Sequence, residues 1–288
     1  MKLNFSLVLP AIRVHTWGGY GSQLFTAHLL LKLKQSFPGR RIRAVNHTSG
    51  VTRRVTEFDF DSIGINVIQS EDFEIQRQSR DELGIPIKHS QNLKGCLRSY
   101  AIQILKKLKF VVDANNDKSY AKIRPWTIAI RGHYTNLILQ REVVEELYRS
   151  IVGPQTHSVM HTSKIVIHYR LGDLLSLKQK TPVNPEKIDA ILSSVFSESH
   201  TPLLLTDSSS SEFSTFVSET KFLKECQACT LNPKSTLLKC VEADVLIGSN
   251  AKLSLWAAIF RQFMLQKISY LPKELEWAAK SGVNAIWY

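Results

Sequence analysis

Short apolar runs typical of buried strands alternate along this 288-residue chain with segments of helical periodicity. The clearest runs lie at residues 5–9, 42–45, 165–169, 202–205 and 245–247. Strands separated by helices pair in parallel, because each crossover helix returns the chain to the same end of the sheet. The alternation therefore predicts an α/β fold with parallel sheets, and the length is sufficient for two domains of ordinary size.

The run at 165–169 leads into a segment suited to binding an anion. His168 and Arg170 are two residues apart, so an extended backbone directs both side chains to one face at the end of the strand. Open α/β sheets bind ligands at that end, and a guanidinium fits a diphosphate in bidentate fashion. Gly172 allows a tight turn before Asp173. The alternative is a core strand in which Arg170 pairs with Asp173, and the pattern alone does not separate the two interpretations.

A glycine-rich loop near the start of the sequence has a second anion-binding pattern. Gly18, Gly19 and Gly21 follow the apolar stretch 5–14 and precede the apolar-rich run 24–33, which indicates strand, loop and helix. Glycines let the backbone approach a ligand closely, and the N–H groups at the start of the helix attract anions. A glycine-rich loop by itself is a weak signal.

Two further strand ends carry polar residues. Asp207 follows an apolar strand, and its carboxylate can accept hydrogen bonds from the amide and amine of a guanine edge. The alternative is that Asp207 caps the following turn. Ser249 and Asn250 follow another strand and are good N-cap residues for the apolar helix after them. We expect that helix to direct its positive end at a phosphate, with the hydroxyl of Ser249 or Ser254 adding a bond.

These four segments resemble, in the same order, motifs of glycosyltransferase family 11. The pattern His-x-Arg-x-Gly-Asp at 168–173 resembles the first donor-binding motif of the α-1,2- and α-1,6-fucosyltransferases. Residues 18–25 resemble the family's Gly-Gly-Leu-Gly-Asn-Gln-Leu-Phe segment, 203–208 its Phe-Ser-Asp-Asp segment, and the stretch from Ser249 its Asn-Ser-Thr-Phe-Ser-Trp-Trp segment. The chain departs from these patterns at Tyr20, Ser22, Ser208, Ala251, Lys252 and Leu255.

The resemblance implies a GT-B-like α/β fold with two Rossmann-like lobes facing a cleft. Residues 1–155 are then the acceptor-side lobe with the glycine-rich loop, and residues 156–288 the lobe that binds a nucleotide-sugar donor. Gly153, Pro154 and a run of polar residues up to position 163 interrupt the apolar pattern, which favours this boundary.

The resemblance further implies an inverting glycosyltransferase that transfers L-fucose from GDP-fucose to a glycan hydroxyl. The expected acceptor is galactose 2-OH, in an α-1,2 linkage, in surface polysaccharide or O-antigen synthesis. The implied catalytic residues are Arg170, His168 and Asp173, with Arg170 stabilising the leaving diphosphate and Asp173 ordering the turn. The implied donor-binding residues are Gly18, Gly19, Gly21, Gln23, Asp207, Ser249, Asn250 and Ser254. The family implies no metal and no other cofactor, so Asp59-Phe-Asp61 is interpreted as surface or turn structure.

Positive charge is concentrated in the first half of the chain. Residues 1–155 hold 23 Lys and Arg against 13 Asp and Glu, a net charge of +10, whereas residues 156–288 hold 14 against 12, a net charge of +2. The segment 93–108 has an apolar helical face, with lysines largely on its other faces. Such a helix either packs on the core with solvated lysines or makes peripheral contact with an anionic membrane, where a lipid-linked glycan acceptor would lie.

Other sequence features bear on location and on competing functions. No apolar run approaches the about 20 residues of a membrane-spanning helix, polar residues interrupt the run at 3–12, and four cysteines fit a reducing compartment, so we expect a cytoplasmic protein. One alternative is a GT-B glycosyltransferase that uses a different nucleotide sugar. The other is a non-enzymatic basic nucleic-acid-binding protein, which the net charge of +12 supports. The sequence has no recognised nucleic-acid motif, so nucleic acid is not an expected partner.

Overall fold

A computed structural model of the protein describes residues 9–47, 56–70, 100–101, 103–153, 165–172, 182–196, 202–226 and 228–288. The chain divides into two compact units, Met1–Val143 and Val144–Tyr288. The boundary expected from the sequence, between residues 155 and 156, lies outside the described residues and stays a prediction.

The first unit contains a five-stranded parallel sheet in the order β3-β2-β1-β5-β4. Its strands are β1 (Ile12–Thr16), β2 (Ile42–His47), β3 (Asn66–Ser70), β4 (Val111–Asp113) and β5 (Ala129–Arg131). The strand expected at 42–45 is confirmed as β2. The strand expected at 5–9 lies, except for Leu9, outside the described residues. The strand that leads into the glycine-rich loop is β1.

Helices α1 (Tyr20–Ser36) and α2 (Asp117–Tyr120) lie in this unit, together with a short 3-10 helix at Phe60–Ile63. Helix α3 (Arg141–Val152) begins at the end of the first unit and belongs mostly to the second. Helix α1 is apolar around most of its circumference and is buried from Gln23 through Leu33, as its run of leucines predicts. Its one buried lysine, Lys32, is paired with Asp117, with 3.0 Å between the ammonium and the carboxylate. The expected strand, loop and helix around the glycines are therefore confirmed.

The second unit contains a six-stranded parallel sheet in the order β11-β10-β9-β6-β7-β8. Its strands are β6 (Ile165–Tyr169), β7 (Leu203–Thr206), β8 (Ala228–Cys229), β9 (Val245–Gly248), β10 (Tyr270–Leu271) and β11 (Ile286–Trp287). Its helices are α4 (Pro185–Val195), α5 (Ser210–Phe216), α6 (Pro233–Glu242), α7 (Lys252–Leu265) and a 3-10 helix at Lys273–Ser281. The predicted α/β class with parallel sheets is thus confirmed in both units.

Strand order in the second sheet determines where a ligand site is expected. Counted from β6, the order is 3-2-1-4-5-6, which is that of doubly wound dinucleotide-binding folds. Strands β6 and β9 are neighbours at the position where the direction of winding reverses, with His168 paired to Gly248. In such sheets the ligand lies outside the carboxyl ends of the strands at this position.

The segment expected to form a basic amphipathic helix is described only from residue 100 onward, without residue 102. In this part Tyr100 is 65 % exposed and Leu108 is 54 % exposed. Lys106 is paired with Asp113, at 2.6 Å. Apolar side chains of this segment therefore face solvent. Within the described ranges, no helix has the length and apolar character to cross a membrane.

Candidate functional site

The carboxyl edge of the second sheet brings together most of the residues expected at the donor site. His168 lies near the end of β6 and is followed by Arg170, Asp207 follows β7, and Ser249 follows β9. Because the three strands are parallel neighbours, these residues lie at one edge. Asp173, expected to be catalytic, lies outside the described residues.

His168 is buried and linked to the start of helix α7. Its Nδ1 lies 2.7 Å from the hydroxyl of Ser254, and that hydroxyl also accepts a hydrogen bond from the backbone N–H of Ser249, at 3.1 Å. Burial lowers the pKa of His168 to about 4, the carboxylate of Asp207 opposes this, and Arg170 adds to it. His168 is therefore neutral at neutral pH, and its contact holds Ser254 and the turn at Ser249.

Ser249 connects β9 to the segment after β6. Its hydroxyl accepts a hydrogen bond from the backbone N–H of Arg170, at 3.0 Å, and the residue is buried. A hydroxyl has one proton to donate in addition to the lone pairs that accept. The bond from Arg170 uses a lone pair, so the proton of Ser249 remains a donor beside the Arg170 backbone.

Asp207 holds the turn that follows β6. Its Oδ1 accepts hydrogen bonds from the backbone N–H groups of Leu171, at 2.8 Å, and Gly172, at 2.9 Å. A Cβ on Gly172 would lie 2.6 Å from the carbonyl oxygen of Asp207, so only glycine fits there. The glycine expected for a tight turn is thus required by the close approach of this turn to Asp207. The N-cap of the following helix α5 is Ser209, so Asp207 does not cap that helix.

The expected capping of helix α7 is wrong. The N-cap residue is Ala251, which makes no side-chain hydrogen bond, and the helix begins at Lys252. Neither Ser249 nor Asn250 holds this position, because the hydroxyl and N–H of Ser249 bond to Arg170 and Ser254, and its carbonyl accepts from Ala251 at 2.7 Å. The positive end of α7 thus begins next to Ser249 with no capping side chain from Ala251.

The end of β9 is fixed by contacts that the sequence does not reveal. A Cβ on Gly248 would lie 2.7 Å from the Cβ of Ser254 and 2.8 Å from Leu271, so α7 packs directly on this glycine. The hydroxyl of Tyr288 donates to the carbonyl of Gly248, at 2.5 Å. Burial raises the pKa of Tyr288, which keeps this phenol a donor.

The glycine-rich loop lies at the carboxyl edge of the other sheet, in the first unit. Gly18, with φ +84°, and Gly19 separate β1 from α1, and Gly21 lies in the first turn of α1. The start of α1 already has an anionic partner, since the backbone N–H of Tyr20 donates to the carboxylate of Glu57, at 2.6 Å.

Gln23 ties this loop to the segment at Glu57. Its side-chain N–H donates to the carbonyl of Gly18, at 2.9 Å. Its side-chain oxygen accepts from the backbone N–H groups of Glu57, at 2.9 Å, and Phe58, at 2.8 Å. The side chain of Gln23 is thus engaged at both ends, and its expected contact with a donor stays a prediction. Glu57 was missed because nothing in the sequence links it to a loop more than thirty residues earlier.

The Asp-x-Asp pair forms turn structure, as interpreted from the sequence. The side chain of Asp59 accepts from the backbone N–H of Asp61, at 3.1 Å, and caps the short 3-10 helix. In the part of the chain that the structure describes, no three His, Cys, Asp or Glu side chains are grouped to hold a metal ion.

Comparisons with known proteins find only distant likenesses. No protein-family model and no curated protein matches the chain. The E. coli heptosyltransferase WaaC with ADP-2-deoxy-2-fluoro heptose aligns over 91% of this chain and 88% of its own, with 11% identity and a TM-score of 0.37. The glycosyl transferase family 9 protein from Veillonella parvula DSM 2008 aligns over 94% and 82%, with 10% identity and a TM-score of 0.43. A UDP-N-acetylglucosamine 2-epimerase aligns over 92% and 80%, with 10% identity and a TM-score of 0.39.

Similarities this distant do not establish the family, the reaction or the substrate, so membership of family 11 is not shown. Fold and site together define the class: an α/β protein of two parallel-sheet units, whose second sheet is doubly wound. At the edge where winding reverses, that sheet presents an arginine, a buried serine and a helix start.

Proposed function

We propose that the protein is a glycosyltransferase whose nucleoside diphosphate sugar binds at the carboxyl edge of the second sheet. One observation carries the proposal. Arg170, the hydroxyl of Ser249 and the start of α7 lie together where β6 and β9 meet. A cation, a hydroxyl donor and the positive end of a helix each favour a phosphate, and the strand order favours a nucleotide at that position.

The reaction that fits this site is a single displacement with inversion at the anomeric carbon. The acceptor hydroxyl forms a bond to that carbon and gives its proton to a base, and the bond from the carbon to the diphosphate oxygen breaks. Arg170, Ser249 and the start of α7 would stabilise the negative charge that grows on the departing diphosphate. His168, being neutral, would contribute by holding Ser254 and the Ser249 turn in place. Since Arg170 and the helix supply positive charge, a metal ion is not required in this scheme.

The identity of the sugar rests on the motif resemblance. The His-x-Arg-x-Gly-Asp pattern and Asp207 favour GDP-fucose as donor, and galactose 2-OH of a surface polysaccharide or O-antigen as acceptor. Asp207 has one carboxylate oxygen bonded to Leu171 and Gly172, which leaves the other for a guanine edge. The alternative is a different nucleotide sugar at the same edge. A nucleic-acid-binding protein would instead show salt-dependent retention on DNA and no response to any sugar nucleotide.

The test is thermal stabilisation by GDP-fucose, GDP-mannose, GDP, UDP and dTDP-linked sugars, since a ligand that binds only the folded state raises its melting temperature. We expect stabilisation by GDP species, its loss in Arg170→Ala, and its retention in Arg149→Ala, an exposed arginine on α3 of the same unit. Stabilisation by another nucleotide that still depends on Arg170 would support a glycosyltransferase but would exclude GDP-fucose as its donor. No shift with any nucleotide would overturn the proposal.

Peripheral contact with an anionic membrane is proposed for the segment around Tyr100 and Leu108. Their exposed side chains, with exposed Lys107 beside them, match the apolar and cationic requirements of an interfacial helix. Co-sedimentation with vesicles containing phosphatidylserine tests this at low salt. Replacement of Leu108 by Ser should weaken binding, and equal sedimentation with neutral vesicles would contradict the contact.

A further inference from the structure

The carboxyl edge of the first sheet carries a group of aromatic rings that the glycine-loop motif does not explain. Trp17 directly follows β1, and His133 follows β5 after Gly132. The two ring centroids are 5.2 Å apart, with an angle of 71° between the planes. His47, the last residue of β2, approaches the indole at 6.3 Å and 53°. Three rings from three neighbouring strands thus meet at one edge, and neither histidine lies parallel to the indole.

The backbone around these rings permits only glycine at a key position. Gly132 has φ +141°, and a Cβ there would lie 2.4 Å from Oδ1 of Asn115. The same Asn115 oxygen accepts from the backbone N–H of His133, at 3.0 Å, and so sets where that residue lies. The next residue, Tyr134, has φ +59° and donates its buried hydroxyl to the carbonyl of His15, at 2.6 Å. Close packing and the positive φ angles of Gly132 and Tyr134 therefore fix the turn in which His133 lies.

Two buried histidines, His15 and His47, lie next to this turn. Nδ1 of His15 and Nε2 of His47 are 2.9 Å apart, and the rings are stacked at 5.1 Å with 10° between their planes. Burial lowers the pKa of His15 to about 3, and the charges of His47, Arg131 and Arg13 add to this. At neutral pH His15 is therefore uncharged and adds no buried cation beside these rings.

The negative charge at the start of α1, close to Trp17 in the chain, disfavours anions there. The carboxylate of Glu57 occupies the start of α1, where a phosphate would otherwise bind. A second negative group at that position would meet like charge in place of free N–H donors. A ligand suited to the edge is neutral, has hydroxyls that pair with carboxylate and imidazole, and has an apolar face that packs on an indole.

We propose that Trp17, His133 and Glu57 form a binding site for a neutral sugar ring. The C–H face of the ring packs on the indole of Trp17, and its hydroxyls bond to His133 and Glu57. Assigning this sugar as the acceptor unit rests on the proposed glycosyltransferase function. The binding site itself does not, because it lies wholly within the first unit.

The test is ligand-observed NMR titration of the nucleotide-free protein with methyl galactoside, methyl glucoside, methyl mannoside and lactose, and with 3′-sulfated lactose as the anionic counterpart. We expect millimolar binding of at least one neutral sugar and weaker binding of the sulfated one. Trp17→Ala should weaken the binding of the neutral sugar about tenfold, as loss of an aromatic contact implies. Trp126→Ala, at a 43 % exposed tryptophan elsewhere in the same unit, should leave it unchanged.

Three further variants distinguish loss of the sugar site from misfolding and from loss of the nucleotide site. Trp17→Phe keeps an aromatic face and should retain part of the binding, which guards against misfolding as the cause of the loss in Trp17→Ala. Glu57→Gln should narrow the difference between lactose and its sulfated form. Arg170→Ala should keep sugar binding while losing the response to nucleotides, so failure of one site is distinguishable from failure of the other. Absence of neutral-sugar binding by the wild type, or binding unaffected by Trp17→Ala, would overturn the proposal.

Discussion

The two sheets have similar strand, loop and helix sequences at their carboxyl edges but present different charges there. In the first sheet, the N–H of Tyr20 at the start of α1 donates to the carboxylate of Glu57. In the second sheet, α7 begins after Ala251, which has no side chain to cap it, and Arg170 lies across the turn from Ser249. A glycine- or serine-containing turn before a helix therefore marks a helix start, but residues distant in sequence decide which ligand charge it accepts.

The largest difference expected between the units is their response to acid. Burial lowers the pKa of His15 and of His28 in the first unit to about 3, and that of His168 in the second to about 4. These values lie below that of an unfolded histidine, about 6.5. As pH falls below 6.5, the unfolded chain binds protons that the native state does not, so the free energy of unfolding decreases until the native pKa is reached.

Each such histidine lowers the free energy of unfolding by about 1.4 kcal/mol for each pH unit between the two pKa values. Between pH 6.5 and 4.5 we expect a loss of about 5 kcal/mol for the two histidines of the first unit and about 2 kcal/mol for the one of the second. Pulse proteolysis at several pH values measures this, because the cleavage fragments identify the unit that opens. His28→Leu should halve the loss in the first unit. Earlier opening of the second unit would contradict the assignment.

The next effect concerns the glycines of the two edges. Gly172→Ala places a Cβ 2.6 Å from a backbone oxygen and should cost about 1–3 kcal/mol. Gly18→Ala meets only the Ser22 side chain, at 3.1 Å, so its cost comes from the positive φ and should be about 1 kcal/mol. Urea unfolding measures both.

Gly153→Ala is the matched control for the conformational cost, since Gly153 has φ +76° and nothing within 4 Å of an added Cβ. We expect Gly18→Ala to resemble it and Gly172→Ala to exceed it. If Gly172→Ala cost no more than Gly153→Ala, the close packing of the turn against Asp207 would be incorrect.

The smallest expected effect is that of removing the negative charge of Glu57 at the carboxyl edge of the first sheet. Glu57→Gln keeps an oxygen acceptor but removes the charge, and should cost about 0.5 kcal/mol at low salt, less at high salt. In this variant inorganic phosphate should stabilise the protein more than it stabilises the wild type. Thermal melts with and without phosphate measure this. Glu242→Gln, at the last residue of α6, should show neither change, and a larger phosphate effect there than at Glu57 would contradict the interpretation.

Continuous apolar runs allowed much of the fold to be predicted from the sequence. The expected strands at 165–169, 202–205 and 245–247 are found as β6 (Ile165–Tyr169), β7 (Leu203–Thr206) and β9 (Val245–Gly248). Fully buried strands of a parallel sheet have this uninterrupted apolar pattern because helices cover both faces. Strand β1 extends two residues beyond the apolar stretch 5–14, because Arg13 and His15 break the apolar pattern although the last three residues of the strand, His15 among them, are buried.

The side-chain network of each edge was beyond prediction because its partners are distant in sequence. Asp207 was expected either to contact a ligand or to cap the turn after it, and its Oδ1 bonds to Leu171 and Gly172 after the neighbouring strand, while its contact with a ligand stays a prediction. Ser249 was expected to cap α7, yet its hydroxyl bonds to Arg170. Both residues had the right chemistry for a local cap, and parallel pairing of β6 with β7 and β9 provided competing partners.

A nucleoside diphosphate should bind at the carboxyl edge of the second sheet and not at the glycine-rich loop of the first. Hydrogen–deuterium exchange with and without GDP-fucose, GDP or UDP measures this, since a bound phosphate protects the backbone N–H groups at the start of α7 and stabilises the hydrogen-bonded turn at Arg170 beside it. We expect protection of residues 170–172 and 249–255, with residues 18–24 unchanged. Protection of residues 18–24 alone would contradict this expectation, because the nucleotide would then bind at the glycine-rich loop of the first unit.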